Sequence, residues 1–333
     1  MTVVPFPIHR LQNVAPVART GEPMDVTLHI GAHRCATTTF QTYMRKNADK
    51  LAEDGTGFWG PWRTRKGLFR DIVPGPSQAL GRNLQRRAYG RVQINLDRST
   101  QRGVKRLIVS DENMLGSIRH NVRHLRLYGG AGEWTSRYGE AFKGYVTDVV
   151  LNVRSLDHYW ASALGYAASR GRGIPDDATL ELVAKTRRSW RDVIEDVACA
   201  LPNARLKVLP FENFVGSPDR QLRAMTGQSA PQTHRDLWKN ASPRLPELRE
   251  LLPSDVSALL PTGDARWNPF TPAQAAHLRE TYADDLMWLT AGADGLAQLI
   301  QEPDKKPVGR TLPRTELQRG RPNDQDRRLA GAG

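Results

Sequence analysis

Val26, Leu28 and Ile30 alternate with Thr27 and His29 and stop at Gly31, a two-residue period that predicts a short strand running into a turn. The stretch that follows, "HRCATTTFQTYMRKN" (33–47), changes from small and hydroxyl-bearing residues to helical spacing with a basic end, so a helix opens directly after the turn. Further apolar runs of strand length lie near 56–59, 105–110, 146–154 and 204–210, with room for helices after or between them. Strands alternating with helices predict an α/β fold: a central, mostly parallel sheet flanked by helices on both faces. Its binding crevice belongs at the carboxyl ends of the strands. Gly31, Ser110 and Arg154 all fall there.

The first strand, turn and helix set up an anion site. Backbone N–H groups in such a turn, together with the positive end of the helix dipole, form a concave cradle suited to phosphate or sulfate. Thr37, Thr38 and Thr39 add hydroxyls and Arg34 adds a fixed charge. The nearest common motif is the nucleotide-triphosphate loop G-x-x-x-x-G-K-[ST]. Gly31 fits its first glycine, but Ala36 stands at the second and Thr37 at the lysine. Without that lysine the chain lacks the group that reaches terminal phosphates.

A second segment, "VTDVVLNVRSLDHYWASALGYAASRG" (146–171), repeats the strand-to-helix pattern. Val146, Val149, Val150, Leu151 and Val153 form a buried-strand run closing on Arg154, and a helix with Trp160, Leu164 and Ala168 on one face follows. Ser162 stands eight residues after Arg154, about two helical turns on.

These segments resemble the sulfotransferases that use 3′-phosphoadenosine 5′-phosphosulfate (PAPS). Arg34, Cys35, Ala36, Thr37 and Thr38 are similar in order to the family's 5′-phosphosulfate loop, and Arg154 and Ser162 have the order and spacing of its 3′-phosphate pair. "KVLPFENFVGSPDRQLRAMTG" (207–227) looks like the family's late strand, acidic turn and helix, and "WKNASPRLPELREL" (238–251) like its later Asn-x-Ser segment. The resemblance extends loosely from residue 25 to about 290. It implies a P-loop-like sulfotransferase architecture that uses PAPS as sulfonate donor, with Gly31, Arg34, Cys35, Ala36, Thr37, Thr38, Arg154 and Ser162 binding the nucleotide. Arg34 would stabilise charge on the leaving phosphate, and Cys35 would contribute only its backbone N–H.

The family uses His or Glu as general base at positions that vary. In "KRLIVSDENMLGS" (105–117) a buried strand delivers Ser110, Asp111 and Glu112 to its carboxyl end, so Glu112 is the first candidate base. Asp111, His33 and His158 are the alternatives, and Asp111 or Asn113 would equally serve as a helix cap.

Composition sets the frame. A chain of 333 residues with 39% apolar and 25% charged residues is large enough for one sizeable α/β core. Residues 1–24 are Pro-punctuated and read as an arm, 25–300 as one α/β domain, and 301–333 as a basic, disordered tail. No run has the length of a membrane span, and the first twenty residues lack the order of a secretory signal, so the expected location is cytoplasmic. Cys35 and Cys199 are too few for a disulfide framework or zinc site, and no metal is expected.

The formal charge of +13 is uneven: Arg63 to Arg106 holds twelve Arg or Lys against Asp71 and Asp97. This stretch, helical over much of 76–103, reads as an electropositive wall for an anionic acceptor or the cofactor, or as a solvated helix. It lacks the interleaved aromatics of a nucleic-acid binder, which makes nucleic acid an unfavoured partner. Trp59 and Trp62 in "GFWGPWRTRKG" (57–67) could line a sugar-binding cleft or anchor a long loop. The expected acceptor is a small molecule or glycan, anionic ones included. The other readings are a divergent P-loop nucleotide kinase or hydrolase, and a non-catalytic anion- or nucleic-acid-binding protein.

Overall fold

Six strands pair in the order β2-β3-β1-β4-β5-β6, every pair parallel: β1 Asp25–His29, β2 Thr56–Trp59, β3 Arg106–Ser110, β4 Val146–Val153, β5 Arg205–Pro210 and β6 Gln298–Leu299. The computed structural model describes residues 24–73 and 82–301. Apart from Met24 and Gln301, the expected arm and tail lie outside the described residues.

The first five strands follow the expected runs to within two residues. The sixth has only two residues, too few to display a period. No helix among the described residues is long and apolar enough to cross a membrane.

Period-two alternation sorts the strand side chains into two cores. Val26, Leu28, Leu107, Val109, Val149, Leu151 and Val208 join the larger cluster, with Trp160 and Trp190 from the helices Leu156–Ala167 and Trp190–Ala200. Ile108, Val150 and Leu209 join the smaller one, with Phe40 and Leu222 from the helices Thr37–Lys46 and Pro218–Thr226. A parallel sheet clad on both faces buries nearly continuous apolar strands, and β4 shows this over its last six residues.

The basic segment is helical over Arg82–Gln101, and Ala88, Val92, Leu96 and Ser99 form its buried stripe. That spacing leaves Arg86, Arg87 and Arg98 exposed.

Polar residues interrupt the smaller core beneath the carboxyl ends of the strands. His29 pairs in register with Ser110 across β1 and β3. Its Nδ1 lies 2.8 Å from Ser110 Oγ and its Nε2 2.8 Å from Asn152 Oδ1. Gln221 Nε2 donates to Asn152 Oδ1 at 3.2 Å, and Gln41 Nε2 donates to Ser110 Oγ at 3.2 Å and to Glu112 Oε2 at 2.9 Å. A buried polar chain therefore links the two helices of the smaller face to Glu112.

Burial pulls the His29 imidazole down to about 4, against about 6.5 in an unfolded chain. As pH falls from 6.5 to about 4, the unfolded chain takes up a proton that the folded state refuses, and stability drops by about 3 kcal/mol over that window. Asp285, whose carboxyl burial pushes up to about 6, acts in the opposite sense over much of the same range. Comparison with a variant isolates the histidine. His29→Gln is expected to be less stable than wild type at pH 7 and to lose most of that deficit by pH 4.5, read from denaturation midpoints. A constant deficit would remove His29 from the acid response.

Candidate functional site

The chain leaves β1 through Ile30, Gly31 and Ala32 and enters the Thr37–Lys46 helix at Ala36, its N-cap. Gly31 has φ +110°, and a Cβ there would lie 2.9 Å from Glu112 Cβ. Glycine thus lets the loop pass directly against the end of β3. Arg34 (φ 62°) and Ala36 (φ 58°) hold left-handed conformations without being glycine, at about 1–2 kcal/mol each. Such strain persists where the surroundings enforce it, and binding sites are a common location. The helix start has no side-chain cap, and the amides of Ala36, Thr37 and Thr38 find no acceptor among the described residues. Its positive end is open to an anion.

Arg34 and Arg154 converge beside this helix end. Arg34 Nε donates to Ser162 Oγ at 2.8 Å and Nη2 to Ser242 Oγ at 3.0 Å, and the two hydroxyls are 2.6 Å apart. Arg154 Nη1 donates to the Arg34 carbonyl at 2.9 Å, and its guanidinium covers the Phe211 ring at 4.5 Å. Trp190 Nε1 fixes the Arg154 backbone by donating to its carbonyl at 2.7 Å. Arg154 Nε is buried without an acceptor among the described residues.

The partners of both guanidiniums are thus hydroxyls, a carbonyl and aromatic rings. Burial, and then the neighbouring Arg154, disfavours the charged form of Arg34; burial does the same at Arg154. Arginine remains protonated even so, and a bound anion would relieve both. Cys35 lies buried beneath, its thiol pushed up to about 12 by burial, which suits it to packing rather than nucleophilic attack.

Three cavities meet at these residues. A small recess is lined by Arg34, Thr37, Thr38, Arg154, Lys239 and Ser242. On one side it shares Arg154, Phe211, Ser242 and Arg266 with a cavity of about 440 Å³ that also reaches Tyr166 and Trp267. On the other it shares Arg34, Thr37, Thr38 and Asn240 with a cleft of about 770 Å³ holding His33, Arg65 and Glu112.

Of the four candidate bases, Glu112 and His33 share the large cleft, Asp111 is buried beside it and His158 lies elsewhere. Glu112 lies in the large cleft, 2.9 Å from Arg65 Nη2 and 2.9 Å from Gln41 Nε2. Burial pushes its carboxyl up, but His33, Arg65 and Gln41 outweigh burial and bring it to about 2. His33 lines the same cleft with Nδ1 2.9 Å from the Tyr128 hydroxyl and Nε2 3.1 Å from Asn113 Oδ1; burial lowers it below the ordinary histidine value. Asp111 is buried, accepts from Thr64, caps Asn113 N and pairs with Arg65 at 2.7 Å. His158 is exposed and lines the 440 Å³ cavity instead.

Arg34, Thr37, Thr38, Arg154 and Ser162 are therefore brought together from positions up to 128 residues apart. Sequence reading missed Lys239, Arg266, Arg119, Arg170 and Arg172, which reach the cavities from loops, a short helix and a turn that no strand end marks. Ser242 stands in the segment singled out by its Asn-x-Ser pattern. Trp59 is fully buried at the end of β2, and Trp62, partly exposed, packs against Phe58 under the Arg45 guanidinium; neither lines the cleft. Of the basic segment's described residues, Arg65 is the one that lines the cleft. No protein-family model matches the chain, and no curated protein matches it.

Proposed function

We propose that this chain is a sulfotransferase of P-loop-like architecture, moving a sulfonate group from PAPS to a hydroxyl or amine of an acceptor. The observation that carries this reading is the shared wall: Arg34, Thr37, Thr38 and Asn240 border both the anion recess and the large cleft. A donor anhydride held on one side would face an acceptor entering from the other.

In this reading the 5′-phosphosulfate lies on the open helix end, and Arg154, Ser162 and Ser242 hold the 3′-phosphate. The 440 Å³ cavity, with Tyr166, Phe211 and Trp267, receives the adenosine. The acceptor oxygen or nitrogen attacks sulfur in line, the bond from sulfur to the bridging oxygen breaks, and adenosine 3′,5′-bisphosphate leaves. Arg34 and the helix amides stabilise the charge on that leaving phosphate.

A charge-assisted hydrogen bond contributes about 1.5–3 kcal/mol, so Arg154→Ala should weaken adenosine 3′,5′-bisphosphate binding about ten- to a hundred-fold. Adenosine 5′-phosphosulfate, which lacks the 3′ group, should bind with nearly unchanged affinity. Ser162→Ala leaves the Arg154 contact to the loop intact and should act in the same direction but less. Calorimetry with both nucleotides checks this; equal losses for the two nucleotides in both variants would contradict the assignment.

A further inference from the structure

We infer that the 770 Å³ cleft binds a small anionic molecule with an apolar body, held by Arg119, Arg170 and Arg172. Naming that molecule the sulfonate acceptor rests on the function proposed above; its binding does not.

Two wide turns of similar make-up flank the cleft. "TRKGL" (Thr64–Leu68) and "ASRGR" (Ala168–Arg172) are both π-helical turns in which a basic residue precedes a glycine at positive φ, Gly67 at 120° and Gly171 at 86°. A Cβ at either glycine would meet nothing within 4 Å, so the backbone conformation, rather than space, calls for glycine there. One turn carries Arg65 into the cleft and the other carries Arg170 and Arg172. Arg119 joins from the Ile118–His124 helix.

The charges of these residues differ in their balance. Arg65 is neutralised by Asp111 at 2.7 Å and Glu112 at 2.9 Å. Glu112 is the carboxylate that lines the cleft among the described residues. Arg65 offsets one of the two acidic charges it touches, leaving that trio at net −1, against Arg34, Arg119, Arg170 and Arg172 on the same cleft. Arg119, Arg170 and Arg172 make no ion pair among the described residues and are exposed at the rim. Arg170 is held over the Tyr166 ring at 5.4 Å, which orders a side chain that would otherwise lose entropy on binding.

From the Ile118–His124 helix and the Leu156–Ala167 helix that leads into the second turn, Ile118, Val122, Ala163 and Ala167 add an apolar lining to the cleft. Planar guanidinium forks match carboxylate, sulfate and phosphate, and the volume is that of a small-molecule pocket. A nucleic-acid strand would call for an open basic groove with stacking aromatics.

The test uses two fluorescent probes with one aryl skeleton: 8-anilinonaphthalene-1-sulfonate, and N-phenyl-1-naphthylamine, which lacks the sulfonate. The full chain is expected to bind the sulfonate about ten-fold or more tightly than the neutral probe at low salt, with the preference shrinking as salt rises. In Arg119→Ala/Arg170→Ala/Arg172→Ala the sulfonate should lose about ten-fold in affinity, while the neutral probe, the thermal midpoint and adenosine 3′,5′-bisphosphate binding hold. Binding of neither probe, equal binding of both, or a preference retained in the triple variant would overturn the inference. Failure of the nucleotide to bind wild type would instead remove the donor assignment and leave the cleft result standing.

Discussion

Arg34→Ala is expected to lower sulfonate transfer about a hundred- to a thousand-fold, the range found when one preorganised donor to a developing charge is removed. Binding of adenosine 3′,5′-bisphosphate should fall far less. The asymmetry follows from when the charge appears: the bridging oxygen becomes a phosphate oxygen only as its bond to sulfur breaks, so an interaction there acts mainly on the transition state. Some binding loss accompanies it, because Arg34 also orders Ser162 and Ser242 at 2.8 and 3.0 Å. Release of sulfate from PAPS to water provides a readout that needs no acceptor. Unchanged turnover in this variant would take Arg34 out of the mechanism.

Glu112→Gln is the second large effect. Removing a general base lowers turnover by about a hundred-fold or more, and nucleotide binding should persist because Glu112 lies outside the recess and the 440 Å³ cavity. With its carboxyl held near 2, Glu112 is ionised throughout the neutral range, and it contributes no limb to a pH–rate profile above about pH 4. If His33 accepts the proton instead, the Gln variant stays active and the acid limb falls below the ordinary histidine value, because burial lowers that imidazole. Asp111 and His158 are poorly placed for the role: the first is buried against Thr64 and Arg65, and the second opens on the other cavity.

The legible parts of the sequence were those whose position is fixed by the end of an apolar run. Gly31, Ser110 and Arg154 close such runs, and the sheet delivers each to the same edge. The helix start at Thr37 was legible for the same reason. Ser242 is 80 residues from Ser162 and meets it only through the folding of a loop, a relation that no local period encodes. Arg170 and Arg172 depend on a wide turn at the end of a helix, which hydrophobic spacing does not distinguish from the helix itself. The basic segment shows the opposite case. Its charge excess was plain, but the stripe of Ala88, Val92, Leu96 and Ser99 decides where its arginines face, and that stripe leaves Arg86, Arg87 and Arg98 in solvent.

Which of the many arginines would pair with Glu112 was equally hidden: it is Arg65. The two residues lie on different elements, 47 positions apart, and meet because β2 and β3 are neighbours in the sheet. Their contact decides the chemistry of the candidate base, since Glu112 shares the Arg65 guanidinium with Asp111 instead of standing as an isolated carboxylate.

Calorimetric titration of the wild-type chain with adenosine 3′,5′-bisphosphate, adenosine 5′-monophosphate, and ATP with magnesium tests the central claim most directly. The account predicts that the bisphosphate binds about ten- to a hundred-fold more tightly than the monophosphate, the contribution of a charge-assisted contact to the 3′-phosphate, and more tightly than ATP with magnesium. Equal affinity for bisphosphate and monophosphate, or tighter binding of ATP with magnesium, would contradict it.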